Sequence, residues 1–312
     1  MKKGLNIQTL LIFLTATGVV AGLLAGCSNK VAFNALPQGA DNSGSSVTDP
    51  GSGGGSGPGS GSGTVPPPAS GGCKLENVNR PVKVMFVVDT SGSNVSPTMD
   101  DGTVACTLTT GCAPATDPMK TFRSGSITTF FNEYQAKTNF SWGFEVFQGE
   151  TAQSYITSGS NASFGNGTSM QSAITDFNAE SDADATPYLA ALDNVQAAIS
   201  TDPDLNSATP ALPLYFIVFM SDGYPTDALS SDDPVTVDIN ALDSAISSIV
   251  ALAPGRVTLS SVYYGTINDP NAAATLENMA SIGKGQFVNV DTGSTSSIVI
   301  DDLITVPVGD CN

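Results

Sequence analysis

Short apolar runs, separated by longer segments with helical spacing, dominate the chain after residue 80. The runs at 82–88 and 214–220 are almost continuously apolar, as in strands that are buried on both faces of a parallel sheet. Weaker strand patterns occupy residues 139–148, 152–157, 256–264 and 286–290. The first two of these are close enough in sequence to form a hairpin. Trp142, the only tryptophan, is expected in the core or at the edge of the sheet.

Apolar residues at helical spacing predict helices between these strands. They cover residues 118–137, 169–178, 187–200, 237–251 and 271–282, with a short final helix at 297–303. The apolar side of the first helix is expected to contain Met119, Phe122, Ile127, Phe130, Phe131 and Tyr134. Thr186 followed by Pro187 is typical of an N-cap and a first helical residue. Strands that alternate with helices predict an α/β fold: a doubly wound, mostly parallel six-stranded sheet flanked by helices.

The N-terminal segment, residues 1–26, has the pattern of a secretory signal peptide. Two lysines precede an apolar stretch at about 10–24, and Leu24-Ala25-Gly26-Cys27 follows. These four residues resemble the bacterial lipobox, which implies that Cys27 receives a diacylglycerol and becomes the first residue of the mature chain. An uncleaved membrane helix is the alternative, and either would tether the protein to a membrane. In enteric bacteria, an aspartate directly after the lipidated cysteine favours retention in the inner membrane. This chain has Ser28 at that position, which favours the outer membrane or cell surface.

Residues 27–72 are rich in Gly, Ser and Pro and contain few apolar residues after position 41. Such a composition buries too little apolar surface to fold, so we expect a flexible tether with a reach of about 35 to 40 Å. The remaining segment, 73–312, is long enough for one well-buried domain.

Composition excludes several classes of function. The chain has 29 acidic and 11 basic residues and a formal net charge of −18, which disfavours nucleic acid or anionic lipid as the main partner. It contains no histidine, so Ser-His-Asp chemistry, Cys-His chemistry and histidine-based zinc sites are excluded. Paired carboxylates or lysine could still act as catalysts, but we expect a protein that is not an enzyme.

Four cysteines lie in the domain and allow three pairings. We favour a Cys106–Cys112 disulfide within the long polar loop at 94–117, and a Cys73–Cys311 disulfide between the two ends of the domain. Disulfides would place the domain outside the cytoplasm. Four free or metal-bound thiols are the alternative. A disulfide in the loop favours an ordered loop that faces a ligand.

Polar residues follow both buried runs directly. Asp89-Thr90-Ser91-Gly92-Ser93 follows the first run, and Ser221-Asp222-Gly223 follows the second. Binding sites of open α/β sheets lie beyond the carboxyl ends of such strands. Carboxylates and hydroxyls are hard oxygen ligands suited to a small divalent cation such as Mg²⁺. The first motif alone could also be an ordinary turn between a strand and a loop.

The set Asp89, Ser91, Ser93, Thr186 and Asp222 resembles the metal-ion-dependent adhesion site of von Willebrand factor A domains. All five positions occur in the family's order, on the matching elements, and the resemblance covers residues 81–303. The threonine loop reads Asp-Ala-Thr at 184–186, where Gly-Gly-Thr is common in the family. The insertion after Ser93 is also longer than is typical.

The resemblance implies a Mg²⁺ or Mn²⁺ ion held by the hydroxyls of Ser91, Ser93 and, when ligand is bound, Thr186. Asp89 and Asp222 would act mostly through waters. Hydroxyls neutralise little of the metal's charge, so an open coordination position would capture an Asp or Glu carboxylate of a partner.

The implied function is that of a membrane-anchored bacterial surface lipoprotein that binds a protein or extracellular-matrix partner. Loops near Tyr188 and Tyr224 are expected to help bind that partner, with packing of Tyr188 on its own helix as the alternative. A Cys73–Cys311 disulfide would restrain the last helix and make the binder constitutively competent. Alternatives are a periplasm-facing assembly subunit of an envelope complex, a hydrolase that uses Asp222 or Asp89 with the metal to activate water, and a structural domain with an empty site.

Overall fold

The computed structural model describes residues 75, 78, 80–95, 114–208, 211–230, 236–265, 270–291, 297–304 and 306. The signal peptide, the tether and all five cysteines lie outside these residues, so the lipidation and disulfide assignments remain predictions. Within the described ranges, no helix combines the length and apolar character needed to cross a bilayer.

A six-stranded sheet forms the centre of the domain. The described strands are β1 (Val82–Asp89), β2 (Phe140–Gln148), β3 (Thr151–Ser154), β4 (Thr157–Ser158), β5 (Asn161–Ala162), β6 (Leu214–Ser221), β7 (Val257–Gly265) and β8 (Lys284–Asp291). The order in the sheet is β3-β2-β1-β6-β7-β8, while β4 and β5 pair separately. All neighbours are parallel except β2 and β3, which form the predicted hairpin. The predicted mostly parallel sheet is therefore confirmed.

Helices connect the strands and cover both faces of the sheet. They are α1 (Thr121–Tyr134), α2 (Gly167–Ala179), α3 (Tyr188–Ser200), α4 (Ile239–Leu252) and α5 (Pro270–Ile282). The short final helix that the sequence predicts is a 3-10 turn, Ile300–Leu303. The expectation for Met119 is wrong: Lys120 adopts a left-handed backbone with φ 53°, so α1 starts after it and Met119 is 83% exposed.

The start of α3 also differs from the sequence prediction. Thr186 is not the N-cap, because the cap is Pro187 and no side chain of the cap position bonds to the helix. Asp227, in the loop after β6, caps the helix instead. Its carboxylate accepts hydrogen bonds from the backbone N–H groups of Leu189 and Ala190, at 3.1 and 3.0 Å. The hydroxyl of Thr186 is thus not used for capping.

The two faces of the sheet form two hydrophobic cores. All eight residues of β1 are buried. Val84, Phe86 and Val88 belong to one core, which includes residues of α1 and α2, and Met85 and Val87 belong to the other, which includes residues of α3 and α4. Burial on both faces explains why the β1 run is apolar without alternation.

Trp142 lies in the first core at 1% exposure. Its ring meets Phe131 edge to face, with centroids 5.1 Å apart. The sequence left open whether this tryptophan lies in the core or at the edge of the sheet, and the structure places it in the core.

The parallel arrangement brings the functional motifs together. Because β1, β2, β6, β7 and β8 run in one direction, their carboxyl ends share one edge of the sheet. We call this edge, with the loops that leave it, the site end, and the opposite edge the amino end. Asp89 ends β1 and Ser221 ends β6, its direct neighbour. Two motifs 132 residues apart in sequence are therefore adjacent in space.

Candidate metal centre

Asp89 forms the floor of the site. It is completely buried. One carboxylate oxygen accepts a hydrogen bond from the backbone N–H of Ser91 at 2.7 Å, and the other accepts one from the Ser221 hydroxyl at 2.5 Å. Asp89 therefore fixes the turn after β1 and links it to the end of β6. Ser221 was not predicted as a site residue, although it lies directly before Asp222.

The two serines and Asp222 form a continuous chain of oxygen atoms. A short 3-10 turn, Gly92–Asn94, follows Ser91. Ser91 Oγ lies 3.1 Å from Ser93 Oγ, and Ser93 Oγ donates to Asp222 Oδ1 at 2.8 Å. Asp222 is 8% exposed, and its Oδ2 has no hydrogen-bond partner among the described residues. A desolvated carboxylate oxygen without a donor would be stabilised by a bound cation.

Thr186 completes the group from the loop before α3, which we call the second loop; the loop after β1 is the first and the loop after β6 is the third. It is 7% exposed. The position that a Cβ on Gly223 would occupy lies 3.8 Å from Thr186 Oγ1 and 3.9 Å from Ser93 Oγ. These two hydroxyls therefore face one small space, which the glycine leaves free of side chain. The structure thus brings together all five residues that the sequence assigned to the site.

Backbone hydrogen bonds hold the first and second loops against each other. Gly92 N–H donates to the carbonyl of Asp184 at 3.0 Å, and Ala183 N–H donates to the carbonyl of Thr90 at 2.9 Å. A Cβ on Gly92 would lie 3.4 Å from that same Asp184 carbonyl. Asp184 has φ 60°, a left-handed conformation that glycine adopts readily and aspartate tolerates better than most residues. The departure from Gly-Gly-Thr at this position is therefore compatible with the same local backbone.

The second and third loops are joined around Thr186. Its backbone N–H donates to the Thr226 hydroxyl at 3.0 Å, and its carbonyl accepts from the Thr226 backbone N–H at 2.9 Å. The position of Thr186 therefore depends on the loop that carries Asp222. Three loops hold one another, so a ligand set spread over them is organised before any ion arrives.

The two carboxyl groups disfavour each other's ionisation. Burial raises the pKa of Asp89, against hydrogen bonds from Ser221 and Ser91 that lower it. Burial, and then the negative charge of Asp89, raise the pKa of Asp222 to about 7, against hydrogen bonds from Thr116 and Ser93. A divalent cation between the loops would favour the ionised form of both groups. The site is therefore electrostatically prepared for positive charge.

A buried ionic network supports the site from below. Arg123 is completely buried and donates to Asp117 Oδ2 at 3.0 Å, to Asp182 Oδ2 at 2.6 Å and to the backbone carbonyl of Asp89. Lys120 binds the other oxygen of Asp182 at 2.9 Å. This network was not predicted from the sequence, because its partners are distant along the chain: Arg123 and Asp182, for example, are 59 residues apart. Through Arg123 it connects the start of α1 to the end of β1.

The donor set fits a hard cation. It consists of three hydroxyls and two carboxylates, all oxygen, which is the ligand type preferred by Mg²⁺ and Mn²⁺. Among the described residues, no group of three or more His, Cys, Asp or Glu side chains could hold a metal by itself. A metal bound here would thus need the hydroxyl groups. The unpartnered Oδ2 of Asp222 and the side-chain-free space at Gly223 are consistent with that need.

The expectation that Tyr188 contacts a partner is wrong. Its side chain is completely buried, its ring packs edge to face on Phe147 and Phe219, and its hydroxyl donates to the carbonyl of Gly223 at 2.8 Å. Tyr188 therefore supports the loop that follows Asp222 and cannot reach a partner. Tyr224 is half-buried against the second core, so its role in partner binding remains a prediction.

Comparisons with known proteins gave structural similarities only. No protein-family profile and no curated protein matches the chain. A mutant PilB minor pilin from Streptococcus sanguinis is 16% identical, with a TM-score of 0.45 over 72% of this chain and 58% of that one. A von Willebrand factor type A protein from Catenulispora acidiphila is 16% identical, with a TM-score of 0.47 over 72% and 41%. Manganese-loaded TRAP protein from Plasmodium vivax is 16% identical, with a TM-score of 0.41 over 69% and 70%.

Proposed function

We propose that the chain is a membrane-anchored surface lipoprotein whose domain is a von Willebrand factor A domain with a metal-ion-dependent adhesion site. It binds a protein or matrix partner through Mg²⁺ or Mn²⁺. One observation carries the proposal: hydroxyls of Ser91, Ser93 and Thr186 converge with an unpartnered oxygen of Asp222 at the site end.

Each residue has a defined task in this proposal. Ser91, Ser93 and Thr186 would hold the ion, and Asp89 and Asp222 would act mostly through waters. When bound, the ion supplies a positive charge that attracts an anionic oxygen. Asp89 orients the first loop through its bond from Ser91 N–H. Arg123 holds the carbonyl of Asp89 in place.

A carboxylate of an Asp or Glu is the partner group that best suits this arrangement. The ion would be surrounded mainly by neutral hydroxyls and would retain most of its charge. Nucleic acid is disfavoured as a partner, because the chain has a formal net charge of −18. The chain has no histidine, and both site carboxyls already accept hydrogen bonds from serine hydroxyls. These facts support a binding role over an enzymatic one.

The N-terminal sequence supports a location in the cell envelope, at the outer membrane or cell surface. The proposed lipid on Cys27 would anchor the chain, and the Gly/Ser/Pro-rich tether at 27–72 would hold the domain clear of the lipid surface.

Isothermal titration of Mg²⁺ and Mn²⁺ into the purified full chain tests the proposal. We expect binding by the parent chain and loss of binding in Ser93→Ala and Asp222→Asn. Glu133→Gln is the matched control, because Glu133 is an exposed acid in the last turn of α1. Absence of binding in a folded parent, or unchanged binding in both site variants, would show that the proposed metal site is wrong.

A further inference from the structure

Basic residues are distributed very unevenly over the domain. Seven lysines and arginines occur from residue 80 to residue 312, and all seven are in the described part of the chain. Five lie at the amino end of the sheet, either shortly before a strand or within its first two residues. They are Arg80, Lys83, Lys137, Arg256 and Lys284. The undescribed segments after residue 80 contain no lysine or arginine in their sequence, so they can add no further positive charge.

The two remaining cations are not available to a partner. Lys120 is 6% exposed and Arg123 is 0% exposed. Lys120 is paired with Asp182 at 2.9 Å, and Arg123 with Asp117 and Asp182 at 3.0 and 2.6 Å. Their positive charges are therefore neutralised by buried carboxylates. No lysine or arginine of the described site end reaches solvent.

Acidic side chains, by contrast, are exposed at the site end. Glu150, Asp184 and Asp227 all lie on its loops and are exposed. Asp222, at the centre of the site, is 8% exposed and turns toward Ser93, with its Oδ2 unpartnered. A bound divalent ion can offset part of this charge locally. Away from the ion, the surface that a partner would cover remains negative.

Two of these acids share a cleft beside the metal centre. It has a volume of about 580 Å³ and is lined by residues of the turn between β2 and β3 and of the loop before Thr186: Gln148, Gly149, Glu150, Thr151, Asp184 and Ala185. A hydrogen bond from Gly149 N–H to the Ala185 carbonyl, at 2.9 Å, joins the two walls. The cleft is large enough for a lysine or arginine side chain, and its carboxylates would pair with that charge.

We propose that the partner is a protein surface on which a single carboxylate is surrounded by lysine or arginine, with one basic side chain entering the Glu150–Asp184 cleft. This inference rests on the proposed function, because the carboxylate needs the metal. A carboxylate among other acids would be repelled by the exposed acids of the site end, whereas basic neighbours would be attracted. The partner's charge pattern thus complements both the ion and its surroundings.

Labelled peptides of defined charge test this inference by fluorescence anisotropy with the full chain in Mg²⁺. The first peptide has one glutamate with two lysines on each side, the second has serines for lysines, and the third has glutamine for glutamate. We expect the first to bind most tightly, and more weakly as NaCl increases. Glu150→Gln with Asp184→Asn should weaken binding of the first peptide by about 3- to 30-fold for two exposed ion pairs and leave binding of the serine peptide unchanged. Glu133→Gln with Glu277→Gln removes two exposed acids elsewhere and should change nothing.

The outcomes separate this inference from the proposed function. Equal binding of the lysine and serine peptides, an unaffected cleft variant, or no binding of either glutamate peptide would overturn the inference. If binding requires metal and glutamate but not lysine, the inference alone fails. If the lysine peptide depends on Glu150 and Asp184 but is unchanged by chelation and by glutamine, the metal bridge fails and the charge complementarity stands.

Discussion

Glu145 gives a quantitative test of the energetics of the sheet. This β2 residue is completely buried, and neither carboxylate oxygen has a partner within the described structure. Ser154, its register neighbour on β3, uses its hydroxyl to bond the carbonyls of Phe144 and Ile156 instead. Burial alone raises the pKa of Glu145 well above the ordinary value of 4.5. The folded protein therefore holds this side chain in its neutral form at a pH where the unfolded chain ionises it.

The sign of the pH dependence follows from this difference. Because the folded pKa of Glu145 is raised, keeping its carboxyl group protonated costs no stability below pH 4.5, and stability is lost as pH rises toward the folded pKa. The loss is about 1.4 kcal/mol for each pH unit in that window. Glutamine has nearly the same shape as neutral glutamate but never ionises. Glu145→Gln should thus become progressively more stable than the parent as pH increases.

Urea denaturation followed by the fluorescence of buried Trp142 measures the effect. We expect the difference in unfolding free energy between variant and parent to grow from pH 5 to pH 7 by up to about 2.7 kcal/mol. Glu150→Gln, an exposed acid at the end of the same hairpin, should show no such growth. A difference that is independent of pH, or a variant less stable than the parent at pH 7, would refute the reasoning.

Substitutions at three further residues test how the loops are held. Arg123→Leu should lower the free energy of unfolding by about 3 to 5 kcal/mol, since Asp117 and Asp182 would remain buried without the Arg123 guanidinium and only Asp182 would keep a cation, Lys120; a loss below about 1 kcal/mol in urea denaturation would contradict this. Asp184→Gly should leave the melting temperature nearly unchanged, whereas Asp184→Val should lower the free energy of unfolding by about 1 to 2 kcal/mol, because the backbone has φ 60° there. Equal stability of the two variants would contradict a left-handed conformation at this residue. Asp227→Ala should cost about 0.5 to 2 kcal/mol through the uncapped start of α3, and calorimetric melting without any decrease would count against the cap.

The strands and the ligand set could be predicted because each has a local signal. The runs that became β1 and β6 are buried on both faces and are therefore apolar without interruption. Asp89 is the last residue of β1 and Asp222 directly follows β6, so the parallel topology alone brings them together. Thr186 could be assigned to the site only through the family resemblance, because its neighbours in sequence suggest a helix cap as readily as a metal ligand.

Other features depend on contacts that no local pattern encodes. Arg123 and Asp182 are far apart in sequence, and neither position is unusual by itself. The helical spacing of Tyr188, Ala191, Leu192 and Val195 does indicate a buried face of α3, and all four are buried. The expectation of a partner contact at Tyr188 gave too much weight to its nearness to the site. Glu145 lies in a strand whose neighbours are apolar, and only three-dimensional packing shows that nothing pairs with it.

Diffraction from crystals grown with Mn²⁺, with data collected for the anomalous signal of manganese, tests the central claim most directly. We expect one strong anomalous peak at bonding distance from Ser91 Oγ and Ser93 Oγ, between the loops that carry Thr186 and Asp222. Crystals of Ser93→Ala grown in the same way should lose that peak. A peak elsewhere, for example at the buried pair of Lys83 and Asp202, or an empty site in well-ordered crystals, would contradict the account.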